Sequence, residues 1–268
     1  FGLRLALLLL CLLVTADTSV AEEKISAKVA GAKLQQLGVS INGPRNDRPY
    51  ESLLFDSDCH FTKDEDYKLI ANCQGVGEVE IRVDKKLNTT LILENLAELT
   101  QLQRLLVFDF TFNQEYGFDE RSLKALAKMK NLKRLSLIDG KDHSDKSIAF
   151  IAENCPSIEA LHFDSLSLTE NSAAALAKMP KLKQLSYVRC KKINDKSIEA
   201  LAVCKTLEDL SVDFTFAVTD KTFDVLPKFA TVKWFTFRNT LMTKEGAIKF
   251  RKDNPMCKVR LTLTDKER

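Results

Sequence analysis

The side chains of this protein best suited to chemistry are its three histidines, its seven cysteines and two acid-rich stretches. Nucleophilic catalysis needs a base within reach of the nucleophile, and zinc needs cysteine or histidine ligands at close spacing. His60, His143 and His162 are scattered, and none stands beside a nucleophile in a pattern such as G-x-S-x-G. The phosphate-cradling G-x-x-x-x-G-K-[ST] and G-x-G-x-x-G patterns and the zinc pattern H-E-x-x-H are missing too. No two cysteines are spaced C-x-x-C and no histidine pairs with them, which argues against a metal. The acidic runs KDEDYK (63–68) and DGKDHSDKS (139–147) lack the length and glycine placement of a calcium loop and read as solvated loops. The expectation is a chain with no catalytic residue, metal or cofactor.

What the sequence does contain is repetition. Ser122, Ser147, Ser172, Ser197, Thr222 and Gly246 follow one another at steps of 25, 25, 25, 25 and 24 residues. One residue after each of them comes Leu123, Ile148, Ala173, Ile198, Phe223 or Ala247, and three further on Leu126, Ile151, Leu176, Leu201, Leu226 or Phe250, one face of a helix. Asp119, Ser144, Thr169, Asn194, Thr219 and Thr243 stand where an N-cap must accept a hydrogen bond from first-turn amides. Pro156, Pro180, Pro227 and Pro255 mark the far ends. A second pattern follows each helix, as in Leu132, Leu135, Leu137 or Leu207, Leu210, Val212, whose last two members share one side of a strand. One strand-helix unit cannot bury its apolar side alone, so the units must stack. Each large aliphatic side chain then contributes roughly 1.5–3 kcal/mol through burial.

The unit LxxLxL, loop, capped helix resembles the leucine-rich repeat family over roughly Val76 to Leu261, with about eight strands. Within it, ENCPSIEALHF (153–163) and YVRCKKINDKSIEALA (187–202) are similar to the cysteine-containing subtype, with Cys190 closing a strand and Cys155 and Cys204 at the helix-to-strand turn. The resemblance implies an α/β fold, a right-handed β-α superhelix forming a horseshoe arc. Its parallel strands line the concave face and its helices the convex face. It also implies reduced, buried thiols and a role in recognition. On the concave face, one column would hold Arg104, Arg134, Ala160, Gln184, Asp209 and Trp234. The next would hold Leu106, Ser136, His162, Ser186, Ser211 and Thr236, and a third Phe108, Ile138, Asp164, Val188, Asp213 and Arg238. Trp and Arg are the types enriched at binding hot spots. Trp234, Arg238, Asp209 and Asp213 are therefore the first candidates for a protein-contacting patch, with Arg104, Arg134, His162 and Gln184 on the same surface.

The ends differ from the repeats. Arg4, the apolar run Leu5–Val14 and Ser19-Val20-Ala21 have the layout of a secretory signal peptide over residues 1–21, too short for a membrane span, and predict an exported protein. Residues 22–72 read as a capping region. Ile25, Val29, Leu34 and Leu37 recur at helical steps before Gly38, and Tyr50 to Cys73 suggest a hairpin leading into the first repeat strand of a domain at 73–268. Such an opening is similar to exported leucine-rich repeat proteins of planctomycete-type bacteria. Export would permit a disulfide between Cys59 and Cys73. About five extra residues near Asn113–Phe118 would lie on one rim of the solenoid, and Asn88-Thr89-Thr90 is a glycosylation sequon in a eukaryotic host. Lys plus Arg exceed Asp plus Glu by three (40 against 37) without local clustering, which gives no nucleic-acid footprint. The expected partner is another protein or a surface polymer. The alternatives are an F-box-like substrate receptor of a ubiquitin ligase, which would need a helical, Leu-Pro-rich segment before the repeats, and an enzyme with a site near the N-terminal cap.

Overall fold

A computed structural model of the protein describes residues 25–43, 51–109, 119–140 and 143–262. The chain begins with α1 (Ala27–Gln36), β1 (Ser40–Asn42), β2 (Ser52–Phe55) and α2 (Asp64–Ala71). Strand and helix then alternate: β3 (Glu78–Arg82), α3 (Thr89–Leu96), β4 (Arg104–Phe108), α4 (Glu120–Lys128), β5 (Arg134–Ile138), α5 (Asp145–Asn154), β6 (Ala160–Asp164), α6 (Glu170–Leu176), β7 (Gln184–Val188), α7 (Asp195–Leu201) and β8 (Asp209–Asp213). Two 3₁₀ turns (Asp220–Asp224 and Leu226–Lys228), β9 (Trp234–Arg238), α8 (Lys244–Asp253) and β10 (Val259–Thr262) complete it. The strands form one sheet in chain order, parallel throughout from β2 to β10, with β1 added antiparallel at the first edge.

Alternation within each strand decides what faces where. In β5, Leu135 and Leu137 are buried while Arg134 is exposed, and the same pattern recurs in β4, β7 and β9. The inward side chains meet the apolar stripe of the helices, so Leu161, Phe163, Leu185, Tyr187, Leu210 and Val212 join Ile148, Ile151, Leu176 and Leu201 in one continuous core. Neighbouring coils account for nearly all helix–helix and strand–strand contact, as a one-dimensional stack requires.

A polar ladder adds to the stacking. Where the first helical residue is Asp and the next coil's cap is Thr, the carboxylate crosses to that cap. Asp145 accepts from the Thr169 amide and hydroxyl (2.9 and 2.6 Å), Asp195 from those of Thr219 (2.8 Å each), and Asp220 from those of Thr243 (2.7 and 2.6 Å). Burial pushes the Asp145 carboxyl up, but the Thr169 and Ser172 bonds outweigh it and hold it below the usual carboxylate range. Glu120 and Glu170 occupy the same place in their coils and make no such bridge among the described residues. The Asp195→Ala variant, which also removes a bond from the Thr222 hydroxyl, is expected to lose about 1.5–3 kcal/mol in urea denaturation.

Several expectations are corrected. Tyr50–Cys73 is not a hairpin: β2 pairs antiparallel with the earlier β1 and parallel with β3, and residues 64–71 form α2. The parallel sheet therefore reaches one coil further upstream than the repeat pattern, with Leu53, Phe55, Tyr67 and Ile70 as that coil's buried residues. In α1 the buried face is Ala30, Gly31 and Leu34, and Val29 points outward, so its helical spacing does not mark the core. The segment after Thr219 is 3₁₀ and not α-helix, because Pro227 has no amide to donate and its ring crowds the preceding turn. Cys59 and Cys73 are free thiols, each buried, and burial pushes both up to about 11. The proposed leader 1–21 and the loop Asn113–Phe118 lie outside the described residues.

Gly38 ends α1 at φ +88°, where a Cβ would come 2.2 Å from the carbonyl oxygen of Asp58. Both the left-handed backbone and this collision penalise any side chain. Gly38→Ala is expected to destabilise by about 1–3 kcal/mol, read as a lowered urea midpoint.

Candidate binding face

Because every strand leaves its helix in the same register, residues at equal repeat positions become neighbours across the sheet. Arg104, Arg134, Ala160, Gln184, Asp209 and Trp234 form one row of direct strand partners. Leu106, Ser136, His162, Ser186, Ser211 and Thr236 form the next, and Phe108, Ile138, Asp164, Val188, Asp213 and Arg238 the third. All lie on the sheet face turned away from the helices.

Three of the six residues in the middle row, Ser136, Ser186 and Ser211, are serines, and their short side chains leave room. A hollow of about 480 Å³ opens over Ser136, Ala160, Ser186 and Ser211, with Arg104 and Arg134 at one end and Asp209 at the other. Arg104 reaches Glu78 at 3.5 Å, whereas Arg134 has no ion-pair partner among the described residues. His162 is half-buried in this hollow. Burial lowers its pKa, Asp164 opposes that and Arg189 adds to it, so the ring is neutral at pH 7.

Asp209 and Trp234 lie at the start of their strands, Asp213 and Arg238 at the end, about 13 Å apart along the strand. At the first position the Lys258 ammonium sits 4.7 Å from the Trp234 ring centroid and the Arg260 guanidinium 5.9 Å away, while Trp234 stays 44% exposed. Burial pushes the Asp209 carboxyl up, and Arg260 partly offsets this. At the second position Asp213 accepts from Asn239 (3.1 Å) and lies 3.8 Å from Arg238. Two coils earlier Asp164 is held by Ser165 (2.9 Å) and Arg189. Lys258 and Arg260 continue the rows that hold Trp234 and Thr236 by one repeat step, so the same periodicity reaches both in the sequence.

A further regularity escaped the sequence pattern. The residue closing each of β5 to β9, Asp139, Ser165, Arg189, Phe214 or Asn239, has positive φ between 48° and 62°. Asp, Ser and Asn tolerate this turn better than Arg or Phe, which hid the common role. Just beyond, Cys190 is buried with its thiol directed at the Phe163 carbonyl (3.7 Å), and burial pushes it up to about 12, which makes it inert. Gly140, Leu166, Thr215 and Thr240 hold the same buried place in other coils.

The sheet order, the register and the outward helices define a leucine-rich repeat solenoid. No protein-family model matches the chain and no curated protein matches it. Among solved structures it is similar to an internalin from Listeria monocytogenes, at 13% identity over 80% of this chain and 61% of that one, with a TM-score of 0.46. It is also similar to TLR13 in its complex with ssRNA13 (16% identity, 80% and 32% covered, TM-score 0.49) and to Rad7 in its complex with Elc1 in yeast (14%, 91% and 86%, 0.36). The chain thus spans 61% of the internalin and 32% of TLR13. Such distant likenesses add nothing to what the sheet itself establishes.

Proposed function

We propose that this protein is a non-catalytic recognition module that docks another protein, or a surface polymer, on the concave sheet face. The observation that carries the reading is the hollow between Arg134 and Asp209, where Ser136, Ser186 and Ser211 leave room around the half-buried His162, in register across several coils. Burial explains the repeated leucines of the inward face, whereas the outward rows change from coil to coil and offer a partner a basic side chain at Arg134, a hollow in the middle and an acid at Asp209. Among the described residues no cluster of three or more His, Cys, Asp or Glu is arranged to hold a metal, and no helix is long and apolar enough to cross a membrane.

The export reading rests on the apolar run Leu5–Val14 and the small residues before Glu22. A reporter fused behind residues 1–30 is expected outside the cytoplasm, and a cytoplasmic reporter would remove this part of the proposal. The ligase-receptor alternative has little support in the described part of 22–72, where α1 and α2 flank the strand pair β1–β2 and pack onto the first coil. Binding is tested by capture from host extracts. The partner recovered with the wild type is expected to be lost with Ser186→Arg plus Ser211→Arg, which fill the hollow without touching the core. Equal recovery would overturn the concave-face reading.

A further inference from the structure

Of the large apolar side chains left exposed among the described residues, Phe214, Phe216 and Leu241 share one location, the rim between strand end and helix start in consecutive coils. Repeat offset and the isolated bridges Asn194↔Ala217 and Thr219↔Leu241 place the rim segments of adjacent coils side by side, about 5 Å apart. Phe216 and Leu241 are 53% and 57% exposed, so the core gains little from them. Phe214 adds an independent sign. It is 43% exposed and sits at φ 48°, a backbone region disfavoured for a bulky side chain and held by Asp, Ser or Asn in three other coils. Neither packing nor backbone preference accounts for phenylalanine there.

The rim also carries exposed cations. Lys191 and Lys192, one coil earlier, are exposed and have no acidic partner among the described residues. Of the nearby carboxylates, Asp164 and Asp213 are paired with Arg189 and Arg238, while Asp195 and Asp220 keep their charge but are half-buried at the helix starts and bonded to the cap threonines. We propose that this rim docks an acidic protein segment carrying an aliphatic or aromatic anchor, with the anchor on Phe214, Phe216 and Leu241 and the acids against Lys191 and Lys192. A bilayer with anionic headgroups fits less well, because the same side of the solenoid carries exposed Glu120 and Glu170 further along. The rim is separate from the concave hollow, and the proposal stands whether or not that hollow binds.

Panning a phage-displayed library of random peptides against the full chain tests it. Recovered peptides are expected to be rich in Asp and Glu around a Leu, Phe or Trp. A synthetic copy of a recovered peptide should lose roughly tenfold or more in affinity to Phe216→Ser plus Leu241→Ser, a loss typical of hot-spot truncation. It should weaken again with Lys191→Glu plus Lys192→Glu, and bind Ser186→Arg plus Ser211→Arg normally. Phe214→Asn should keep or raise the melting temperature while lowering affinity, a combination that a merely structural phenylalanine does not give. Peptides without acids, affinity unmoved by the rim variants, or loss confined to the concave variant would overturn the proposal. So would rim-dependent binding to phosphatidylserine vesicles with no peptide recovered. If the serine pair does not fold, the lysine pair, fully exposed, decides.

Discussion

Phe163→Ala is expected to destabilise the protein by about 3–5 kcal/mol, the cost of removing a fully buried aromatic ring from a core that cannot collapse around the gap. Phe163 lies in the middle coils, with its ring centroid 5.9 Å from that of Tyr187, and its carbonyl faces the Cys190 thiol. Because each coil is stabilised by its neighbours, a break here separates two stretches of solenoid. Urea denaturation should therefore show a lower midpoint and also a shallower or divided transition, as the two stretches cease to unfold together. A loss below about 1 kcal/mol with an unchanged slope would mean that the coils do not share one core at this point.

The second large effect concerns acid. His143 is 2% exposed, in the place where other coils put Leu168, Ile193, Val218 and Met242, and Gly140 leaves the space its ring occupies. Burial lowers its pKa from 6.5 to about 4. Between these values the unfolded chain takes up a proton that the folded chain refuses. The stability associated with the neutral ring is thus complete above pH 6.5, declines as the pH falls, and is gone below about pH 4. The integrated loss is roughly 3 kcal/mol. His143→Leu should flatten this limb: the difference in unfolding free energy between variant and wild type should shift in favour of the variant by that amount from pH 7 to pH 4. A difference independent of pH would show that the folded ring protonates as readily as the unfolded one.

Much of the architecture was legible because stacking forces inward residues to recur. The step of 25 residues, the caps Asp119, Thr169, Asn194, Thr219 and Thr243, and the LxxLxL strands all follow from burying one apolar side against the next coil. The same periodicity sets Arg104 to Trp234 and their two companion rows in register from the sequence alone. Less was legible where spacing and environment part company. The coil containing β2 and α2 buries Leu53, Phe55, Tyr67 and Ile70 without the LxxLxL step, and the cap position before its helix is Lys63, not one of the usual capping residue types. Val29 has the right spacing and the wrong azimuth, since two small residues, Ala30 and Gly31, allow α1 to lie close on that side. Trp234 and Arg238 stand at opposite ends of one strand, a separation that residue types alone do not carry. The cations over Trp234 come from the following coil, and the left-handed turn at Phe214 is a backbone property that an aromatic residue conceals.

The central claim is that the core holds the coils in register so that the open sheet face can dock a partner. Photo-crosslinking in the host tests it most directly, with a benzophenone amino acid placed at Ser211 on the concave face or at exposed Ile248 on the convex helix α8. The account predicts a discrete adduct from position 211 and none from position 248. Adducts from 248 alone, or from neither position with the protein folded and expressed, would contradict it.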